Sequence, residues 1–168
     1  MINYSKDSDN IVTLTLDNPN RSANLINIAF GEKFREVLAQ LQADTDIRGI
    51  IIASAKDTFM AGADIDELFA ENDAQLFFDR GQELKAGFRY LETQGKPVVA
   101  AMNGTALGGG FELCLAAHRR IAIDNPKTQI GLPEVTLGLL PGGGGVVRMV
   151  RLIGLQPSLP FLTEGKKV

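Results

Sequence analysis

Residues 96–122 read KPVVAAMNGTALGGGFELCLAAHRRIA. The first part, KPVVAAMNG, is short and apolar, the pattern of a strand buried on both faces. Three glycines, Gly108, Gly109 and Gly110, then stand directly before an apolar run that reads as a helix to about His118. RIAIDN, residues 120–125, returns to a strand pattern. Strand, glycine turn, helix and strand make a βαβ unit, which places the chain in the α/β class. One charge, Glu112, sits inside the apolar run.

The same alternation extends outward from this stretch. IVTLTL, residues 11–16, alternates in the β manner and ends on the turn signal DNPN. From Leu25 to Leu41 apolar residues recur at helical spacing. IRGIIIAS, residues 47–54, reads as a doubly buried strand. FMAGADIDELF passes from a small-residue loop into a short helix, and Ala74 to Thr93 has the spacing of an amphipathic helix. Gly131 to Gly145 is loop-rich, and VVRMVRLIG beyond it is helical. These elements predict one domain over residues 1–168 with a largely parallel sheet. The end, LIGLQPSLPFLTEGKKV, is amphipathic, and Phe161 and Leu162 need a surface to pack on. Both a ragged terminus and a longer polypeptide are consistent with it.

Composition narrows the functional classes. The 168 residues carry a net charge of −3, which argues against a general binder of nucleic acid or anionic membrane. A single cysteine, Cys114, excludes an internal disulfide and a thiolate metal cluster. A single histidine, His118, excludes multi-histidine metal sites, so no metal is expected. No apolar stretch reaches membrane-span length, and MINYSKDSDN lacks the features of a signal peptide. A cytoplasmic protein is the expectation. Cys114 reads as core, and Lys56, Arg148 and Arg151 read as surface charges.

Glycine-rich loops raise the question of phosphate binding. The dinucleotide fingerprint fails, because its last glycine falls on Leu113 from Gly108 and on Val147 from Gly142. The Walker pattern fails as well, since Gly143 is followed by Gly144 rather than lysine. Two uses of Gly108 to Gly110 remain. They permit close packing, or they present the unpaired N–H groups of a helix start to a ligand. The loop from Met60 to Asp64 has the same character, so the N–H groups of Gly109 and Ala63 are candidates for a two-donor oxyanion hole. Such loops lie beyond the carboxyl ends of strands, where open α/β sheets bind ligands.

Glu112 has two readings, a carboxylate complementing its helix dipole or a general acid/base in a dry site. Glu134, in GLPEVTLGLLPGGGG, is either a solvated loop charge or the second member of a carboxylate pair. Paired carboxylates suit addition or removal of water and proton shuttling beside a carbonyl. Glycoside cleavage is disfavoured, for there is no Trp and only two Tyr to form a sugar platform.

Three segments, FMAGADIDEL, KPVVAAMNGTALGGGFELCLAAHRRIA and IGLPEVTLGLLPGGGGVVRMVRLIG, together resemble the crotonase superfamily of enoyl-CoA hydratases and isomerases. Their order and separation match from the first strand to about Gly154. The wording of residues 125–142 is similar to the hydratase/isomerase region of multifunctional fatty-acid oxidation proteins. The resemblance implies a crotonase-like spiral of ββα units, truncated here at the C-terminal end. It implies Glu112 and Glu134 as catalytic residues, and Ala63 and Gly109 as oxyanion-hole donors. It places Ala23, Ala61, Gly62, Asp64, Ile65 and Gly108 along the substrate, an acyl-CoA thioester. CoA belongs to that substrate, and no separate cofactor is implied. A trimer-type homo-oligomer or a fatty-acid oxidation complex is the implied assembly. Hydration of 2-enoyl-CoA is the implied reaction. Double-bond isomerisation, another crotonase-fold reaction, and an inactive CoA-thioester-binding fragment are the alternatives.

Overall fold

The computed structural model describes residues 1–168. Five strands form the main sheet in the order β1-β2-β3-β4-β6. They are β1 (Ile2–Lys6), β2 (Ile11–Leu16), β3 (Gly49–Ser54), β4 (Val98–Met102) and β6 (Arg119–Ala122). Neighbours from β2 to β6 run parallel, and β1 pairs antiparallel with β2 at the edge. The parallel connections carry α1 (Ile28–Ala43), then α2 (Ile65–Ala70) with α3 (Ala74–Thr93). Between β4 and β6 come the two-residue strand β5 (Ala106–Leu107) and α4 (Gly109–Leu115). The chain finishes with β7 (Ile130–Gly131), a 3-10 turn at Pro133–Leu137, α5 (Gly145–Ile153) and α6 (Leu155–Thr163).

Alternation decides which faces are dry. In β2, Val12, Leu14 and Leu16 point inward, and in β3 Ile50 and Ile52 do so. From α1 they meet Phe30, Phe34, Val37 and Leu41, residues spaced to share one helical face. Phe34 stacks on Phe30 at 5.5 Å and meets Phe88 of α3 edge-on at 5.8 Å. The two helices approach so closely at Gly87 that a Cβ there would lie 2.6 Å from the Phe34 ring. Side-chain caps start α1 and α3. Asn27 accepts from the Phe30 N–H, and Asp73 accepts from the N–H groups of Gln75 and Leu76.

A second, smaller sheet positions the site. β5 pairs parallel with β7, and single bridges extend the pairing from Met60 to Ala106, from Ile26 to Ala63, and from Gly131 to Lys167. Five short segments therefore lie side by side, and the loops leaving three of them converge. The strand at 2–6 and this second sheet were not expected from the sequence. Phe161 and Leu162 do find a surface, half-buried against the core. No helix is long and apolar enough to cross a membrane.

Candidate active site

The three consecutive glycines do three different jobs. Gly108 has φ 54° and ψ −131°, a left-handed backbone state that disfavours any side chain. A Cβ there would also stand 3.1 Å from Oε1 of Glu134. At Gly110 a Cβ would fall 2.4 Å from the carbonyl oxygen of Met60, so that position serves close packing. Gly109 between them is the first residue of α4, where the N–H has no carbonyl one turn back to donate to. Close packing is seen at Gly110, and the Gly109 N–H is left without a helical acceptor.

Ala63 is the counterpart on the neighbouring loop. The Ile26 N–H donates to the Gly62 carbonyl at 2.8 Å, and the Asp64 N–H donates to the Ile26 carbonyl at 2.9 Å. Ladder geometry then turns the N–H of Ala63 away from Ile26, toward the side where β5 and the Gly108 loop lie. It has no acceptor of its own. The two loops touch, since a Cβ on Gly62 would sit 3.1 Å from the Leu107 carbonyl. Two unpaired N–H groups thus stand on adjoining loops. The side chain of Ile26 also reaches Gly109, its Cδ1 lying 2.8 Å from where a Cβ would be.

Glu112 is buried, at 3% exposure, and both carboxylate oxygens are held. Oε2 accepts from the Gly143 N–H at 2.9 Å and Oε1 from the Gly145 N–H at 2.7 Å. Burial raises its carboxyl pKa above the ordinary value, and these N–H bonds pull the other way. Glu134 is embedded differently. Pro133 opens its 3-10 turn and Gly138, at φ 71°, closes it. Its Oε2 is buried and has no hydrogen-bond partner. Burial, with the nearby Glu112 charge adding to it, pushes the Glu134 carboxyl up to about 7. The pair therefore consists of one fixed carboxylate and one free carboxyl poised near neutrality.

The remaining expected substrate residues line the same loops. Ala61 and Ala63 are exposed, Gly62 is buried, and Ala23 is half-buried beside Asn24. Asp64 turns inward, at 4% exposure, and caps α2 through the Asp66 N–H at 3.2 Å while pairing with Arg21 at 3.2 Å. Ile65 opens α2 and is exposed. Asn24 was missed in the sequence. Its buried amide donates to Leu16, Ser54 and Phe59 and accepts from the Asn18 N–H, tying residues 22–25 to the ends of β2 and β3. No local signal marked it, since Asn20, Arg21, Ser22 and Asn27 make its neighbourhood polar.

Five other side chains, Cys114, His118, Arg148, Lys56 and Arg151, have defined places. Cys114 is core: its thiol donates to the Gly110 carbonyl at 3.2 Å, and burial pushes its pKa far up. His118 accepts the Val98 N–H at Nδ1, 3.0 Å away, and so serves the start of β4. Arg148 is not the surface charge expected. Its side chain is 12% exposed and reaches across to pair with Glu92 of α3. Lys56, 21% exposed, pairs with Asp17, and Arg151 is exposed as expected.

Two unpaired N–H groups on touching loops thus lie near one carboxylate held by backbone donors and one neutral-range carboxyl, since a Cβ on Gly108 would stand 3.1 Å from Glu134 and one on Gly109 3.9 Å from Glu112. The family model for enoyl-CoA hydratase/isomerase matches residues 6–168, so the chain belongs to that family. It is 45% identical over 167 residues to the fatty acid oxidation complex subunit alpha of Shewanella halifaxensis, covering 99% of this chain and 24% of that one. The corresponding subunit of Vibrio parahaemolyticus is 48% identical over 166 residues, covering 96% of this chain and 23% of its own. Among solved structures, the Bacillus anthracis enoyl-CoA hydratase superposes with TM-score 0.89 at 32% identity, covering 99% of this chain and 64% of that chain. An enoyl-CoA hydratase from Thermoplasma volcanium gives TM-score 0.89 at 28% identity, with 99% and 65% covered. The fold is therefore crotonase-like. The chain spans about a quarter of the alpha subunits and about two thirds of the hydratase chains.

Proposed function

We propose that this chain carries the site that hydrates 2-enoyl-CoA thioesters in fatty-acid oxidation. The thioester oxygen sits between the N–H groups of Ala63 and Gly109. Glu134 takes one proton from a water molecule, and the water oxygen bonds to C3. The C2–C3 π pair moves toward the carbonyl, leaving an enolate oxygen on the two donors. C2 then takes a proton from the carboxyl pair, and the product is the 3-hydroxyacyl thioester. Preformed donors of this kind contribute about 3–4 kcal/mol each to the transition state.

One observation carries the division of labour. Glu134 has a buried, unpartnered oxygen, whereas both oxygens of Glu112 are held by glycine N–H groups. A carboxyl near pKa 7 exchanges protons readily at neutral pH, so Glu134 transfers them and Glu112 orients the water. Loss of the conjugated-thioester absorbance of crotonyl-CoA measures the reaction. Glu112→Gln combined with Glu134→Gln abolishes it on this reading, and full activity in that double variant removes the proposal.

The same observation supports a second reading. One free carboxyl suffices to carry a proton between C2 and C4 of a 3-enoyl thioester, giving a double-bond isomerase. Turnover of 3-hexenoyl-CoA with no hydration of crotonyl-CoA selects it. Calorimetric binding of a CoA thioester without turnover of either substrate would instead mark a binding segment.

A further inference from the structure

We propose that Arg148 is the positioning residue of Glu112, locking the Gly143–Gly145 turn whose N–H groups hold the Glu112 carboxylate. The guanidinium has three engaged nitrogens. Nε donates to Oε1 of Glu92 at 2.7 Å and Nη2 to Oε2 of Glu92 at 3.0 Å, a two-pronged bond to α3. Nη1 donates to the Gly143 carbonyl at 2.7 Å. Gly143 is thus gripped on both sides, its carbonyl by Arg148 and its N–H by Glu112. Gly144 makes room for this. Its φ is 100°, and a Cβ there would stand 2.4 Å from Nη1.

The geometry explains why arginine stands at this place. A planar fork spans a carboxylate and still has a third donor for the turn, which a single ammonium cannot match in direction. Glu92 is kept ionised for its part. Burial alone raises its carboxyl, but hydrogen bonds from Arg148 and Arg89 outweigh that and hold it below its usual range. The charged groups facing Glu112 are Arg148 from α5 and Glu134 from the 3-10 turn. Arg148 touches neither carboxyl of the pair directly. It acts through the glycine turn, and α3 is the frame to which that turn is fastened.

The meaning of this device for turnover rests on the reading of Glu112 as part of the site. Its test reads the carboxyl itself. The 168-residue chain is labelled with carbon-13 at the glutamate carboxyls, and Glu112 is titrated while amide exchange of Gly143 and Gly145 is followed. In Arg148→Met the Glu112 midpoint is expected about one pH unit higher. Exchange at both glycines is expected to be about tenfold faster. Arg148→Lys recovers part of the titration shift and not the glycine protection. Arg151→Met, on the same helix and exposed, leaves both where they are. Should Arg148→Met fail to fold, Glu92→Gln loosens the fork and is read in the same way, with faster glycine exchange expected. An unchanged Glu112 midpoint with unchanged glycine exchange, in folded Arg148→Met or in Glu92→Gln, overturns the proposal. Absence of turnover in the unaltered chain would instead count against the hydratase reading alone.

Discussion

Glu112 and Glu134 are the same residue in two opposite settings. Glu112 stands on a helix, is fully buried, and has a glycine N–H on each oxygen. Glu134 stands on a 3-10 turn, half-buried, with one oxygen buried and unpartnered. The glutamate with more burial is thus the better solvated by protein, because backbone donors replace water around it. The less buried one carries the larger uncompensated cost. In the proposed hydratase reading, the fixed carboxyl is the orienting group and the free one the proton carrier, from identical side chains.

That contrast is most sharply broken by substitution at the free carboxyl. Glu134→Gln is expected to lower the hydration rate of crotonyl-CoA about 10²–10⁴-fold while leaving the folded state intact. Equal loss of activity and of thermal stability would contradict its role as a free group. Glu112→Gln reads the other side. An amide cannot accept two N–H bonds with both of its terminal atoms, so one glycine N–H is left facing a donor. The expected cost is about 1–3 kcal/mol, seen as a drop of roughly 2–12 °C in Tm for a chain of this size. An unchanged Tm would show that the Gly143 and Gly145 bonds do not hold the turn.

The pH dependence of stability separates the two further. Glu134 has its folded-state carboxyl raised from 4.5 to about 7, so the neutral form is favoured in the fold. Its contribution is full below pH 4.5, declines as pH rises, and is lost above about 7. Tm of the unaltered chain relative to Glu134→Gln is therefore expected to fall by a few degrees across that window. Asp17, Asp44 and Glu92, whose carboxyls are lowered, act in the opposite sense at acid pH and cancel in this difference. The smallest effect concerns the turn under Glu134. Gly138 has φ 71° and no atom within 4 Å of an added Cβ. Gly138→Ala is thus expected to cost only the conformational term, about 1 kcal/mol, by thermal unfolding.

The sequence showed the main sheet well where periodicity was strong. Residues 11–16 and 74–93 took the expected form along their full length, because alternation and helical spacing both persisted over several repeats. INYSK was missed since its strand lies at the sheet edge and is mostly exposed. The second sheet was illegible for a different reason. Two residues in β5 and two in β7 cannot display a period, and their pairing is set by loops far apart in sequence. At the site, the convergence of the two glutamates and the two loops came from the family resemblance. The grip on Glu112 lay 31 and 33 positions away at Gly143 and Gly145, beyond any local pattern. PGGGG did hold a clue, being a second glycine-rich helix start with N–H groups to offer. Arg148 was misread because charge alone does not reveal a buried fork.

The most direct measurement is the carboxyl titration of Glu134 itself, by carbon-13 NMR of the glutamate-labelled chain with Glu134→Gln to assign the resonance. A midpoint near 7 is expected, set by burial with the nearby Glu112 charge adding to it. A midpoint near the ordinary 4.5 would mean a solvated loop carboxylate, and would contradict the assignment of Glu134 as the proton-transferring group.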